Sequence, residues 1–141
     1  MTPRPRILLV EDSPLQARLV REFTADALDV EWADRLSTAL DRRRQGGIDA
    51  VLLDLSLPDS WGVDTLRRVV EARPDLPVLV FSGGDREQVA AEALRSGAAA
   101  VLFKDGRYEE TIVKAVRAAL SRRRGSGETG EAPVRQVPPR R

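Results

Sequence analysis

The 141-residue chain contains no cysteine and no histidine. Without cysteine it has no disulfide, no thiolate nucleophile, no thiolate zinc site and no cysteine-ligated iron–sulfur cluster. Without histidine it has no Ser-His-Asp relay, no HExxH metal site and no phosphohistidine of its own. Lysine is almost missing as well: only Lys104 and Lys114 stand among the 23 basic residues. Apolar runs are short, none approaching the roughly 20 residues that cross a bilayer. The start Met1-Thr2-Pro3-Arg4-Pro5-Arg6 lacks the apolar stretch and cleavage site of a signal peptide. The expectation is a cytoplasmic protein with no membrane association. Carboxylates, hydroxyls, lysine, arginine and backbone are left to carry any chemistry.

Apolar residues make up 42% of the chain, enough for one ordinary core, so a single domain with at most a tail is expected. The net charge of +1 conceals an asymmetry. Residues 1–120 carry 17 basic and 20 acidic side chains, whereas residues 121–141 carry six arginines and two glutamates. That last stretch is polar and rich in glycine and proline, and it cannot bury enough apolar surface to offset its ordering entropy. A folded domain over residues 1–122 and a disordered Arg/Pro/Gly-rich tail over 123–141 are expected. Twenty residues are too few for a DNA-binding output domain. No GxxxxGK[ST] or GxGxxG follows the first strand, which excludes the common nucleotide-binding loops.

Strand-like and helix-like segments alternate five times. Arg6–Val10, Asp29–Ala33, Ile48–Asp54, Leu76–Ser82 and Ala100–Lys104 read as strands, the second near an edge because of its charges. Ser13 and Pro14 read as an N-cap and first helical residue, with Gln16 completing a capping box. Leu15, Leu19 and Phe23 then suggest the stripe that this helix lays on the sheet. Four further helices are expected: one over Leu36–Arg44, one marked by Val63, Leu66, Val69 and Val70, one over Arg86–Ser96 and one marked by Ile112, Val116 and Leu120. Such alternation predicts right-handed crossovers and a parallel sheet covered on both faces. The expected fold class is α/β, a flavodoxin-like (βα)5 three-layer sandwich with sheet order 2-1-3-4-5.

The stretch Val51-Leu52-Leu53-Asp54 is an apolar run that stops on a carboxylate, followed by the Pro58- and Gly62-punctuated loop. The first strand likewise runs into Glu11-Asp12. Open α/β sheets bind ligands at the carboxyl ends of their strands, so Glu11, Asp12 and Asp54 form an acidic pocket suited to a hard cation. The fourth and fifth strands bring Ser82 and Lys104 to the same rim. Alone, Asp54 would read as a turn aspartate. In this company it suits phosphoryl transfer to a carboxylate, with Mg²⁺ neutralising phosphoryl oxygens and the hydroxyl and amine binding the rest.

Over roughly residues 5–122 the chain resembles the receiver domain of bacterial response regulators. Glu11-Asp12, Asp54, Pro58, Gly62, Ser82 and Lys104 fill the family's positions in order. The resemblance implies that Asp54 accepts a phosphoryl group from a phosphohistidine or a small donor. It further implies Mg²⁺ held by Asp12, Asp54, the Ser56 carbonyl and, through water, Glu11. Ser82 would move onto the phosphoryl group and Lys104 would pair with it. Two positions depart from the family. Val101 stands where an aromatic switch residue is usual, and Asp105-Gly106 follows the lysine where a proline is usual.

The implied protein is a single-domain response regulator of a two-component system, not an enzyme acting on an external substrate, with slow autodephosphorylation only. Its expected partners are a sensor histidine kinase or phosphotransfer protein and a downstream protein target. The face of the fourth helix, fifth strand and fifth helix is the expected output surface, where Ala90, Ala91 and Leu94 could support a homodimer. Trp61 and the arginine tail are further candidate contacts. Two rivals stand beside this reading. One is a Mg²⁺-dependent aspartyl-phosphate phosphatase or phosphotransferase, which would want an acid where Ser56 stands. The other is a receiver-like binding module that is never phosphorylated.

Overall fold

The computed structural model describes residues 3–83, 86–104 and 108–129. In chain order the elements are β1 (Arg6–Val10), α1 (Pro14–Thr24), β2 (Asp29–Ala33), α2 (Leu36–Arg44), β3 (Ala50–Leu53), β4 (Ser56–Leu57), β5 (Ser60–Trp61), α3 (Val63–Ala72), β6 (Val78–Ser82), α4 (Arg86–Arg95), β7 (Ala100–Phe103) and α5 (Tyr108–Thr129). Five strands form one parallel sheet in the order β2-β1-β3-β6-β7. With the two hairpin strands β4 and β5 set aside, this is the expected 2-1-3-4-5 order, and the fold is flavodoxin-like α/β.

Strand alternation sorts the core into two layers. Leu8, Val10, Val51, Leu53, Val78 and Val80 face Leu36 and Ala39 of α2, Leu66 and Val69 of α3 and Ala93 of α4. Their neighbours Ile7, Leu9, Ala50, Leu52, Leu79, Phe81 and Leu102 face Ala17 and Val20 of α1 and Ile112, Val116 and Ala119 of α5. Strands covered on both faces must be apolar at every position, which is why β1, β3 and β6 read as unbroken hydrophobic runs. The charged β2 lies at the edge, as its composition predicts.

Helix α1 has the expected N-cap, with Ser13 Oγ accepting from Gln16 N at 3.2 Å and Pro14 in the first turn, while Ser13 N donates to Glu11 Oε2. Its buried face differs. Ala17, Val20 and Thr24 meet the sheet, while Leu15 is 66% and Phe23 55% exposed. Spacing by the large apolar residues misses this, because Ala17 and Thr24 are the residues small enough to bring the helix close to the strands.

The loop after β3 also departs from expectation. It is a hairpin, with Ser56 opposite Trp61 and Leu57 opposite Ser60 across the turn Pro58-Asp59. Helix α5 continues to Thr129, past the boundary at 122 drawn from composition. The tail expected from there onward lies outside the described residues after 129, as do Asp105 and Gly106. Among the described residues, no helix is long and apolar enough to cross a membrane.

One arginine is buried among the helices. Arg43 of α2 is 1% exposed and donates to the Val69 carbonyl and, at 2.9 Å, to the Arg73 carbonyl. These oxygens close the C-terminal end of α3, where a helix leaves carbonyls without partners and favours positive charge. Burial, with Arg73 nearby, pulls the Arg43 pKa down to about 10, still a cation at neutral pH. Arg43→Ala should therefore leave both a cavity and unpaired carbonyls, costing about 2–4 kcal/mol. Urea denaturation would show this as a lowered midpoint, and an unchanged midpoint would contradict the role assigned to Arg43.

Candidate functional site

Four strands of the sheet end on the residues that build the site. Glu11 and Asp12 follow β1 directly, Asp54 follows β3, and Lys104 follows β7, while Ser82 is the last residue of β6. Parallel pairing keeps these ends in step: Asp54 N donates to Val10 O at 2.9 Å, and Lys104 N donates to Ser82 O at 3.0 Å. All five residues line one cavity of about 790 Å³ at the carboxyl rim. Every sequence-predicted site residue is thus brought to one place, Ser56 included.

Lys104 joins the acids. Its Nζ lies 2.7 Å from Glu11 Oε1 and 3.1 Å from Asp54 Oδ2. The ammonium also sits 5.3 Å from the centre of the Phe81 ring, a cation–π distance. The other Asp54 oxygen, Oδ1, accepts from Ser56 N at 3.0 Å, which turns the chain into the hairpin. Glu11 is 1% exposed, and its Oε2 accepts from Ser13 N at 3.2 Å. Its Oε1 touches the Lys104 charge without the alignment of a hydrogen bond.

This burial dominates the electrostatics. It pushes the Glu11 pKa up to about 7, with the Asp54 charge adding to it, although Lys104 works in the opposite direction. Burial pulls Lys104 down, but its close contact with Glu11 and the charges of Asp54 and Glu11 prevail and leave its pKa raised. The site therefore holds a permanent cation against acids that compete for it.

Carboxylate oxygens of Glu11, Asp12 and Asp54 come within 4.8 Å of one another. An all-oxygen set with one exposed member is the donor chemistry of a hard divalent cation that keeps some of its water. The buried Glu11 Oε1, left without a hydrogen bond, fits the same requirement. These residues can hold Mg²⁺, and Ser56, two residues past Asp54, lines the same cavity.

One contributor was not evident beforehand. Trp32 Nε1 donates to the Glu11 carbonyl at 2.7 Å, fixing the turn that presents the acidic pair. Its partner lies 21 residues away, so no local pattern signals it. Trp61, expected as a candidate contact, is 78% exposed on β5 and lines the cavity with Val89 of α4. Val101 is half-buried against the α2–α3–α4 layer, so an aliphatic side chain occupies the position of the usual aromatic.

Fold and site define an α/β domain with an acidic pocket at the carboxyl ends of its parallel strands. The sequence profile of the Response regulator receiver domain family matches residues 7–117, and the chain belongs to that family. Receiver domains of this family serve two-component signalling, meet histidine kinases or phosphotransfer proteins, and bind Mg²⁺ at such a pocket. Among curated relatives, the chain is 37% identical over 130 residues to protein-glutamate methylesterase/protein-glutamine glutaminase 1 of Anaeromyxobacter dehalogenans, covering 84% of this chain and 37% of that protein. It is 29% identical over 126 residues to the regulatory protein LuxO of Vibrio vulnificus, covering 86% and 28%. The chain thus spans well under half the length of either relative. Its fold matches the receiver domain of a putative Luxo repressor from Vibrio parahaemolyticus with TM-score 0.80 at 24% identity, covering 92% of this chain and all of that one. A CheY-like receiver from Methanospirillum hungatei matches with TM-score 0.79 at 21% identity, covering 89% and 100%. At these identities the structures speak for the fold.

The raised Glu11 pKa has a consequence for stability. Below its ordinary value of 4.5 the carboxyl is protonated in both the folded and unfolded chain. Between 4.5 and about 7 the unfolded chain has released the proton and the folded one retains it, so stability falls as pH rises through this window and levels off above it. In metal-free protein, Glu11→Gln should flatten that decline. Urea midpoints across the window would measure it, and parallel curves for the two proteins would contradict the assignment.

Proposed function

We propose that the chain is a phosphorylation-controlled switch in which Asp54 is the phosphoacceptor. What carries this reading is the placement of Lys104 Nζ on Asp54 Oδ2 at 3.1 Å, beside an acidic pair on the neighbouring strand. An oxygen of Asp54 attacks phosphorus, forming an acyl phosphate as the bond from phosphorus to the donor atom breaks. The leaving group, an imidazole nitrogen or an acetate oxygen, departs with that electron pair. These 141 residues hold no histidine, so a phosphohistidine donor lies outside them, and in this reading it is that of a sensor kinase or a phosphotransfer protein.

In this reading Lys104 exchanges Glu11 and Asp54 for a phosphoryl oxygen, and the Ser82 hydroxyl binds another. Asp12, Asp54 and the Ser56 carbonyl hold Mg²⁺, with Glu11 acting through water. When bound, the ion supplies neutralisation of charge on the transferring phosphoryl oxygens. The signal leaves by protein–protein contact at the α4–β7–α5 face, where Ala91 and Leu94 are exposed. On the same reading the domain carries out no reaction on an external substrate. Two residues beyond Asp54, where a phosphatase would want a general acid, stands Ser56.

Incubation with acetyl phosphate and Mg²⁺ should add one phosphoryl group by intact-mass spectrometry. Without Mg²⁺, or in Asp54→Asn, the adduct should fall at least about a hundredfold, the scale of losing a central electrostatic or nucleophilic group. A folded protein that gains no adduct and leaves the donor intact would instead be the unphosphorylated module. Rapid donor hydrolysis without an adduct would make it the phosphatase.

A further inference from the structure

Helix α2 starts without a cap of its own. Its N-cap residue is Arg35, whose side chain accepts no hydrogen bond from the first turn, although a helix start leaves four N–H groups without intrahelical partners. Asp59 supplies the acceptors from another element: Oδ1 accepts Leu36 N at 2.8 Å and Oδ2 accepts Ser37 N at 3.0 Å. This is an N-cap delivered in trans, across 23 residues of sequence. Loss of solvent pushes the Asp59 carboxyl upward, but the two N–H bonds outweigh it and hold the pKa below its ordinary value.

Asp59 sits in the Pro58-Asp59 turn of the β4–β5 hairpin, whose first residue is Ser56. The hairpin has only two rungs, so no slack residue separates the turn from Ser56. Its base is closed by Gly62 N donating to Leu55 O at 2.7 Å, and Leu57 is buried in the same core layer as Leu36. Ser60 Oγ meets Thr65 Oγ1 of α3 at 2.6 Å. The turn itself is fixed to α2 by Asp59.

The geometry points to Asp59 as a positioning residue for the metal-binding loop: by clamping the hairpin turn to the first turn of α2, it sets where the Ser56 carbonyl stands. This rests on the Mg²⁺ role of Ser56 in the proposed function. Coupling between two sites is reciprocal, so an ion held at Ser56 tightens the clamp by the factor that the clamp strengthens ion binding. Occupancy of the pocket is then felt at the start of α2, away from the α4–β7–α5 face.

The test compares the full chain with Asp59→Ala, Asp59→Asn and Arg42→Ala. The last removes the bidentate Arg42–Glu31 pair, with contacts of 2.6 and 2.9 Å, at the opposite end of α2 and serves as a control for lost stability. Mg²⁺ affinity is read by calorimetry, and exchange of the Leu36 and Ser37 amides by NMR with and without Mg²⁺. Asp59→Ala should bind Mg²⁺ about three- to tenfold more weakly, inside the roughly two- to thirtyfold that loss of a helix cap spans. Asp59→Asn should recover part of this, because its one carbonyl oxygen can still accept. Arg42→Ala should keep wild-type affinity. Mg²⁺ should slow Leu36 and Ser37 exchange in the wild type and not in Asp59→Ala. Equal affinities for wild type and Asp59→Ala, or equal weakening by Arg42→Ala, would overturn the proposal. If the wild type itself bound no Mg²⁺, the functional reading would fail and take the metal coupling with it. Faster exchange in metal-free Asp59→Ala would then still mark the clamp as structural alone.

Discussion

The charge of Lys104 holds the site together. Two carboxylates, from Glu11 and Asp54, approach one another at the ends of adjacent buried strands, an arrangement that repulsion and desolvation oppose. A single ammonium in contact with both makes it stable. The lysine comes from the far end of the sheet, with β6 between its strand and that of Asp54. The arrangement therefore exists only when β1, β3, β6 and β7 are in register. The same cation that holds the acids in the resting state is well placed to receive a phosphoryl oxygen, so one residue serves both stability and the proposed chemistry.

Around that centre the loops are tied by contacts distant in sequence. Trp32 reaches from the edge strand to the Glu11 carbonyl. Asp59 reaches from the hairpin to the start of α2, and Arg43 reaches from α2 to the end of α3. Helix α2 is thereby joined at its N-terminus to the loop before α3 and near its C-terminus to the end of α3 itself. These contacts tie the hairpin beside the pocket, α2 and α3 into one unit.

Most of the fold and the central site could be read in advance, for a geometric reason. Parallel strands joined by right-handed crossovers place their carboxyl ends on one rim, so apolar runs stopping at Glu11, Asp54, Ser82 and Lys104 locate a site without any knowledge of side-chain contacts. Where large-residue spacing was the guide, at Leu15, Leu19 and Phe23, it chose the wrong flank of α1, because small residues decide how closely a helix docks. The Pro58-Asp59 turn reads only as a loop, since two-rung hairpins carry too few residues for an alternating pattern. Asp59 and Arg43 look like ordinary surface charges in the sequence. Their partners are backbone groups of other elements, which no local pattern can reveal. An α2 that begins after Arg35 with no capping side chain was the single local hint that an acceptor had to come from elsewhere.

The most direct measurement is a crystal structure with Mg²⁺ and beryllium fluoride, a stable stand-in for the phosphoryl group. The account predicts beryllium bonded to an Asp54 oxygen, the ion on Asp12, Asp54 and the Ser56 carbonyl, and Lys104 and Ser82 on the fluorides. Beryllium on another carboxylate, or Lys104 still bridging Glu11 and Asp54 with the fluorides elsewhere, would contradict it.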